Sequence, residues 1–147
     1  MANVTIRMLG TEDAGLLRNV APDVFDNDVD DRWSAEFLAD PRHHLAVAID
    51  EDGVIVGMAS GVHYVHPDKP PEMFVNEVGV APTHQGARVG TRVMRALLDH
   101  ARSIGCVEAW VLTSPINTAA RRLYTRVGGV DDAEAQIMFS FDLSDGG

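Results

Sequence analysis

Apolar residues fall along this chain in two rhythms, and the switches between them lay out its elements. Val4-Thr-Ile-Arg-Met8 alternates apolar with polar positions and predicts an opening strand. Gly10-Thr11 breaks it, and Thr11 followed by Glu12 and Asp13 starts a helix. Leu16, Leu17, Val20 and Val24 recur on it at helical spacing to about Phe25, with Pro22 placed to end or kink it. A second short helix, about Arg32 to Ala39, carries Trp33, Phe37 and Leu38 on its apolar side and stops at Asp40-Pro41. His44 to Asp50 and Val54 to Val65 are strands joined by a hairpin at Glu51-Asp-Gly53. Gly57 and Gly61 in the second of these predict a bulge or a close backbone approach. Met73 to Val80 is a near-continuous apolar strand interrupted by Asn76 and Glu77. From Arg88 to Gly105 the stripe Val89, Val93, Leu97, Ala101 and Ile104 predicts an amphipathic helix that Gly105 ends. Val107 to Thr113 is a strand, and Asn117 to Val127 a helix capped by Gly128-Gly129. Glu134 to Leu143 is expected to close the fold as a last strand, with a frayed tail after it. The order β-α-α-β-β-β-α-β-α-β describes one α/β domain over residues 1–147, a mixed sheet with helices on its faces.

Composition changes this picture little, and charge changes it more. With 147 residues, 46% of them hydrophobic, the chain can bury a core of ordinary size. Charged residues near the start exclude a signal peptide, and no apolar run approaches a membrane span, so a cytoplasmic protein with no membrane partner is expected. The lone Cys106 excludes an internal disulfide, fits a reducing compartment, and reads as packing rather than as a nucleophile. Twelve basic against 22 acidic residues leave a formal charge of -10, which repels nucleic acid and attracts a cationic small molecule. Five aspartates crowd Asp23 to Asp31: either a solvated, capping-rich loop or a cation-attracting rim that includes Asp26, Asp28 and Asp30. His63 and His66 point to opposite faces of their strand and have no further ligand at metal spacing, so no metal site is expected.

The candidate chemistry gathers where the fourth strand runs into the long helix. A helix that starts directly after a strand offers unpaired N–H groups and a positive dipole end to a phosphate. Arg88, Arg92 and Arg95 sit near that start, where cations oppose the dipole and make more sense beside an anionic ligand. Gln85-Gly-Ala-Arg-Val-Gly90 is neither a Walker A loop nor a dinucleotide fingerprint, and by itself reads equally well as a structural turn. Glu77 inside an apolar strand needs either a partner or a job.

Taken together these residues resemble the GNAT superfamily of acyl-CoA-dependent N-acetyltransferases over nearly the whole chain. The phosphate loop of that family, Gln/Arg-x-x-Gly-x-Gly/Ala, is met at Gln85 and Gly90, with Arg88 in place of the first glycine. The family's Asn-x-x-Ala-x-x-x-Tyr pattern is met by Asn117, Ala120 and Tyr124. Within the superfamily the chain looks most like the short aminoglycoside 3-N-acetyltransferases of the gentamicin-modifying type. The acidic segment around Val24-Phe25, the strand from Pro70 to Val80 and the closing Ile137 to Leu143 carry that likeness.

The resemblance implies a mostly antiparallel sheet splayed between its fourth and fifth strands, with acetyl-CoA in the cleft. The pantetheine arm would pair with Val78, Gly79 and Val80, and the pyrophosphate would rest on the N–H groups of Gln85, Gly86, Ala87, Arg88, Val89, Gly90 and Thr91. The N–H near Val78 would stabilise the oxyanion, and Asn117 would hydrogen-bond the cosubstrate. Glu77 would act as general base or as an anchor for the substrate, and Tyr124 would protonate the departing thiolate. Arg88 either blocks a phosphate or swings outward to grip one, with Arg92 reinforcing the grip; the second is preferred. The substrate so implied is a small polycationic amine, an aminoglycoside first, held by Asp26, Asp28, Asp30 and Glu77. Acetylation of a protein N-terminus or lysine, and a catalytically silent acetyl-CoA-binding module, are the competing readings. Members of the family often form homodimers, for which the terminal strand offers a place.

Overall fold

A computed structural model describes residues 3–132, 134 and 136–144. Five strands, β1 (Thr5–Met8), β2 (His43–Ile49), β3 (Ile55–Tyr64), β4 (Glu72–Val80) and β5 (Glu108–Val111), form one sheet in that spatial order. Every neighbouring pair is antiparallel except β4–β5, which is parallel because a helix crosses between them. Three α-helices, α1 (Asp31–Ala39), α2 (Val89–Ser103) and α3 (Thr118–Arg126), accompany the sheet among the described residues, with 3-10 helices over Thr11–Arg18 and Pro82–His84. The fold is the mixed, mostly antiparallel α/β arrangement expected.

Helix α2 lies on one face of the sheet, and the row it covers is built of small residues. Ala48 pairs with Gly57 and Ala46 with Ala59, and a Cβ on Gly57 would stand 2.5 Å from Val89 Cγ1. That row lets the stripe Val89, Val93, Met94, Leu97 and Ala101 sink fully into the core. Gly105 ends the helix at φ +92, with its N–H given to the Arg102 carbonyl and that of Cys106 to the Ala101 carbonyl, a Schellman closure. The larger side chains of β2 and β3, Leu45, Val47 and Met58, face the other way, on the side where Leu17, Val24 and Leu38 complete the core.

Four sequence expectations are corrected here. The first helix is a 3-10 segment that ends at Arg18 instead of running to Phe25; Val20 instead bridges Ile55, and Ala21 donates to the Ile55 carbonyl at 2.9 Å. On α1 Leu38 is buried and Phe37 packs against the core as expected, but Ser34 is the other buried position and Trp33 is 67% exposed. Strand β5 spans only Glu108–Val111 before the chain turns away to α3. No strand forms over Glu134 or 136–144: Ile137, Phe139, Phe141 and Leu143 are exposed and lie off the sheet. Alternation there signals β-propensity, but a strand needs an edge to pair with, and four-residue β5 presents very little of one.

Candidate active site

Strand β4 is where the sheet opens. Ser60 pairs with Glu77 while Gly61 pairs with Val75, so Asn76 is an extra residue, a β-bulge. Pairing with β5 covers only Glu72 to Val75 and stops at that bulge. Beyond it, Ala81 donates to the Val56 carbonyl at 2.8 Å, and antiparallel alternation therefore turns the polar groups of Gly79 toward β3. Those of Val78 and Val80 face the open slit, where the Gln85 side chain reaches the Val80 carbonyl at 3.3 Å. The splay expected between the fourth and fifth strands is present, and the bulge causes it. Asn76 and Glu77, read from sequence as polar residues inside a core strand, are exposed instead, at the bulge and just past it.

The two faces of β4 differ. Val80 packs toward Gly90 on the α2 side, whereas a Cβ on Gly79 would collide with the Val24 carbonyl oxygen at 1.9 Å on the other. Glu77 stands two residues before Gly79 and shares its face. Partial burial, and then the Asp26 charge, push the Glu77 carboxyl above its usual range. Asp26 stands two residues beyond Val24, whose carbonyl crosses Gly79, and both Asp26 and Asp28 are exposed on that loop. Asp30 does a different job. Its side-chain Oδ1 accepts from the N–H groups of Arg32 (2.9 Å) and Trp33 (3.0 Å), so it caps α1.

At the start of α2, Arg88 is the N-cap residue in a left-handed conformation, φ 61 and ψ 22, and supplies no side-chain cap. This backbone shape explains why a glycine suits the position, a reason the sequence pattern does not display. The N–H groups of Gly86 and of Arg88 through Thr91 find no acceptor among the described residues, so the seat fits a pyrophosphate. Arg88 is exposed, whereas Arg92 is turned away to the Val4 carbonyl at 3.3 Å and does not reinforce a grip there. Arg126 reaches in from α3 toward the Thr91 hydroxyl at 3.4 Å, a neighbour that sequence spacing does not indicate. Replacing Arg88 with Gly is expected to raise stability by up to about 1 kcal/mol by relieving the left-handed strain. If the guanidinium holds a phosphate, the same variant weakens acetyl-CoA binding several-fold by calorimetry; unchanged affinity removes that role.

Asn117 caps α3 by accepting from the Ala120 backbone N–H at 3.1 Å, and its Nδ2 has no acceptor among the described residues. Tyr124 is half-buried and lines a cavity of about 250 Å³ with Val75, Met94, Trp110 and Val111, beside the slit. Burial raises its hydroxyl above the ordinary tyrosine range, so it is protonated at neutral pH and able to donate. Gly128 and Gly129 close the helix as expected, with Gly129 donating to the Tyr124 carbonyl at 2.8 Å. Among the described residues no group of three or more His, Cys, Asp or Glu side chains is arranged to hold a metal ion, and no helix is long and apolar enough to cross a membrane.

Comparison with known proteins agrees with this geometry. The sequence profile of the acetyltransferase (GNAT) family matches residues 15–129. An N-alpha-acetyltransferase RimI of Mycobacterium tuberculosis is 38% identical over 129 residues, covering 85% of this chain and 77% of that protein. An L-2,4-diaminobutyric acid acetyltransferase of Streptomyces coelicolor is 36% identical over 113 residues, covering 76% and 63%. In fold, an aminoglycoside acetyltransferase from an uncultured soil metagenomic sample, in complex with sisomicin, superposes with a TM-score of 0.81 over 96% of this chain and 97% of that one, at 17% identity. These matches do not single out the 3-N-acetylating type. The slit, the phosphate seat and the family profile agree: the chain belongs to the GNAT family of acetyltransferases and is an acetyl-CoA-dependent N-acetyltransferase.

Proposed function

We propose that the acetyl acceptor is a primary amine on a small molecule carrying more than one ammonium group. What supports this reading is the crossing at Gly79, which carries the loop bearing Asp26 over the face of β4 that bears Glu77, two exposed carboxylates that form no ion pair among the described residues. Neighbouring carboxylates repel, and a dication between them relieves that repulsion. Aminoglycosides, acetylated at the 3-amino group, are the specific form of the proposal that follows from the resemblance to the gentamicin-modifying enzymes. Diamino acids belong to the same chemical class.

The roles follow from the faces. Glu77 takes the proton of the attacking ammonium from the loop side of β4. Val78 N–H, turned into the slit, stabilises the oxyanion. Tyr124, on the α2 side, returns a proton to the leaving thiolate. The N–H groups of Gly86 and of Arg88 through Thr91, with Asn117 Nδ2, hold the cosubstrate; that of Ala87 is given to the His84 carbonyl at 3.4 Å. A second reading, acetylation of a polypeptide N-terminus, is favoured by the 38% identity to RimI; its acceptor carries one obligatory cation rather than two. A homodimer would use the exposed apolar side chains Ile137, Phe139, Phe141 and Leu143.

A thiol-release assay with acetyl-CoA against gentamicin, 2,4-diaminobutyrate, spermidine and a peptide with a free N-terminus separates these readings. Turnover confined to the peptide overturns the small-polycation assignment. Within that assay Asp26→Asn is expected to raise the KM of a dicationic acceptor roughly three- to tenfold at low ionic strength, with the effect shrinking as salt is added. An unmoved KM makes the acidic loop a solvated surface.

A further inference from the structure

The loop that carries Asp26 is held over β4 by a contact that depends on one missing side chain. A Cβ built on Gly79 would lie 1.9 Å from the Val24 carbonyl oxygen and 3.0 Å from its carbon. These are backbone atoms, which cannot swing aside as a flexible side chain would. Gly79 has no positive φ that would require glycine, so the close crossing is the reason for the residue. The Val24 side chain, 2% exposed, is anchored in the core on the same side, with Leu17 and Leu38. Asp23, immediately before it, sits at φ 67, a conformation an aspartate adopts at some cost and keeps only when its surroundings enforce it. The polar groups of Gly79 are turned to β3, so the residue offers the slit nothing to hold a cosubstrate with. Two residues back along this face of β4 stands Glu77, and two residues on from Val24 stands Asp26.

We propose that Gly79 is a positioning residue for the acceptor: by leaving room for the Val24 carbonyl, it seats the acidic loop on β4 and fixes Asp26 opposite Glu77. This rests on the reading that these two carboxylates receive the amine. It adds that their spacing is set by a backbone crossing and not by any bond between them. A methyl at position 79 lifts the loop away while the N–H groups of Val78 and of the α2 start stay where they are. The acceptor side of the reaction weakens, and the donor side does not.

The experiment has one arm that needs no substrate. Carbon-detected NMR titration of the Glu77 carboxyl in wild type, Asp26→Asn and Gly79→Ala reads the proximity of the Asp26 charge directly. The Glu77 midpoint is expected to fall in Asp26→Asn and to fall by a similar amount in Gly79→Ala. The kinetic arm is expected to show, for Gly79→Ala, at least a tenfold rise in acceptor KM, kcat within about threefold, and acetyl-CoA affinity within about twofold. Combined with Asp26→Asn it is expected to give little further rise, because both remove the same interaction. A folded Gly79→Ala whose Glu77 midpoint stays at the wild-type value overturns the proposal. Should that variant fail to fold, Val24→Ala withdraws the loop's anchor without touching β4 and reads the same titration by the same criterion. A midpoint that moves in an enzyme inactive toward every polycationic amine upholds the positioning and sinks the substrate reading.

Discussion

Glu77→Gln is expected to lower turnover of an amine acceptor by a factor of about 10²–10⁴, the usual contribution of a positioned general base. Binding of acetyl-CoA is expected to hold within about twofold, because the slit-facing groups of β4 belong to Val78 and Val80. The physical case starts from the amine, which is mostly protonated near neutrality and must lose a proton to attack. A free carboxylate is a weak base for that task. Partial burial, and then the Asp26 charge, raise Glu77 above its ordinary range, which strengthens it as a base. The sign is testable. In wild type, log kcat/KM falls with unit slope as pH drops through the raised Glu77 value; in Glu77→Gln that acid limb disappears. If Glu77 is instead an anchor, the variant raises acceptor KM and leaves kcat near wild type. Steady-state thiol release between about pH 5 and pH 9 separates the two outcomes.

The second large effect concerns the fold rather than the chemistry. Three histidines form a chain on the α2 side of the sheet: His44 Nε2 lies 2.8 Å from His63 Nδ1, and His100 Nε2 lies 3.0 Å from His44 Nδ1. His44 is 8% exposed and uses both ring nitrogens, so as a neutral imidazole it donates one of these bonds and accepts the other. Burial, then the neighbouring His100 and His63 and, less, His43, push it down from 6.5 to about 4; Asp40 opposes them weakly. Burial lowers His100 as well. Above pH 6.5 both folded and unfolded chains hold His44 neutral, and the cluster costs nothing in protonation. Between pH 6.5 and 4 the unfolded chain takes up a proton that the folded chain refuses, so stability falls as pH falls. The loss from His44 alone is about 2 kcal/mol at pH 5, and His100 adds to it in the same direction. Urea melts at pH 7.5 and pH 5 are expected to show the loss in wild type and most of it abolished in His44→Gln. Equal pH dependence in the two proteins removes the cluster as its cause.

Much of this architecture was legible in the residues, for identifiable reasons. Strands β2 to β4 and helix α2 are long and strongly periodic, and burial alone specifies them. The phosphate seat was legible because Gln85 and Gly90 lie in one local stretch. What escaped is what depends on residues far apart in sequence. The bulge at Asn76 is a mismatch in count between β3 and β4, invisible in either strand alone. Arg88 announces its left-handed backbone only by replacing a glycine, and the histidine chain joins positions 44, 63 and 100 from three separate elements. The closing strand failed because alternation reports a tendency, while pairing needs an edge.

One consequence of the two-faced β4 reaches beyond this molecule. Everything that would meet the acyl donor comes from α2, α3 and the slit, while everything that would meet the acceptor comes from the loop over Gly79 and the outward side of the strand. The loop and the slit lie on different sides of one strand, so a change in the loop's exposed charges leaves the slit-facing backbone groups in place. A lineage built this way can acquire new amines one loop at a time, which suits a family whose relatives carry the names of such different acceptors.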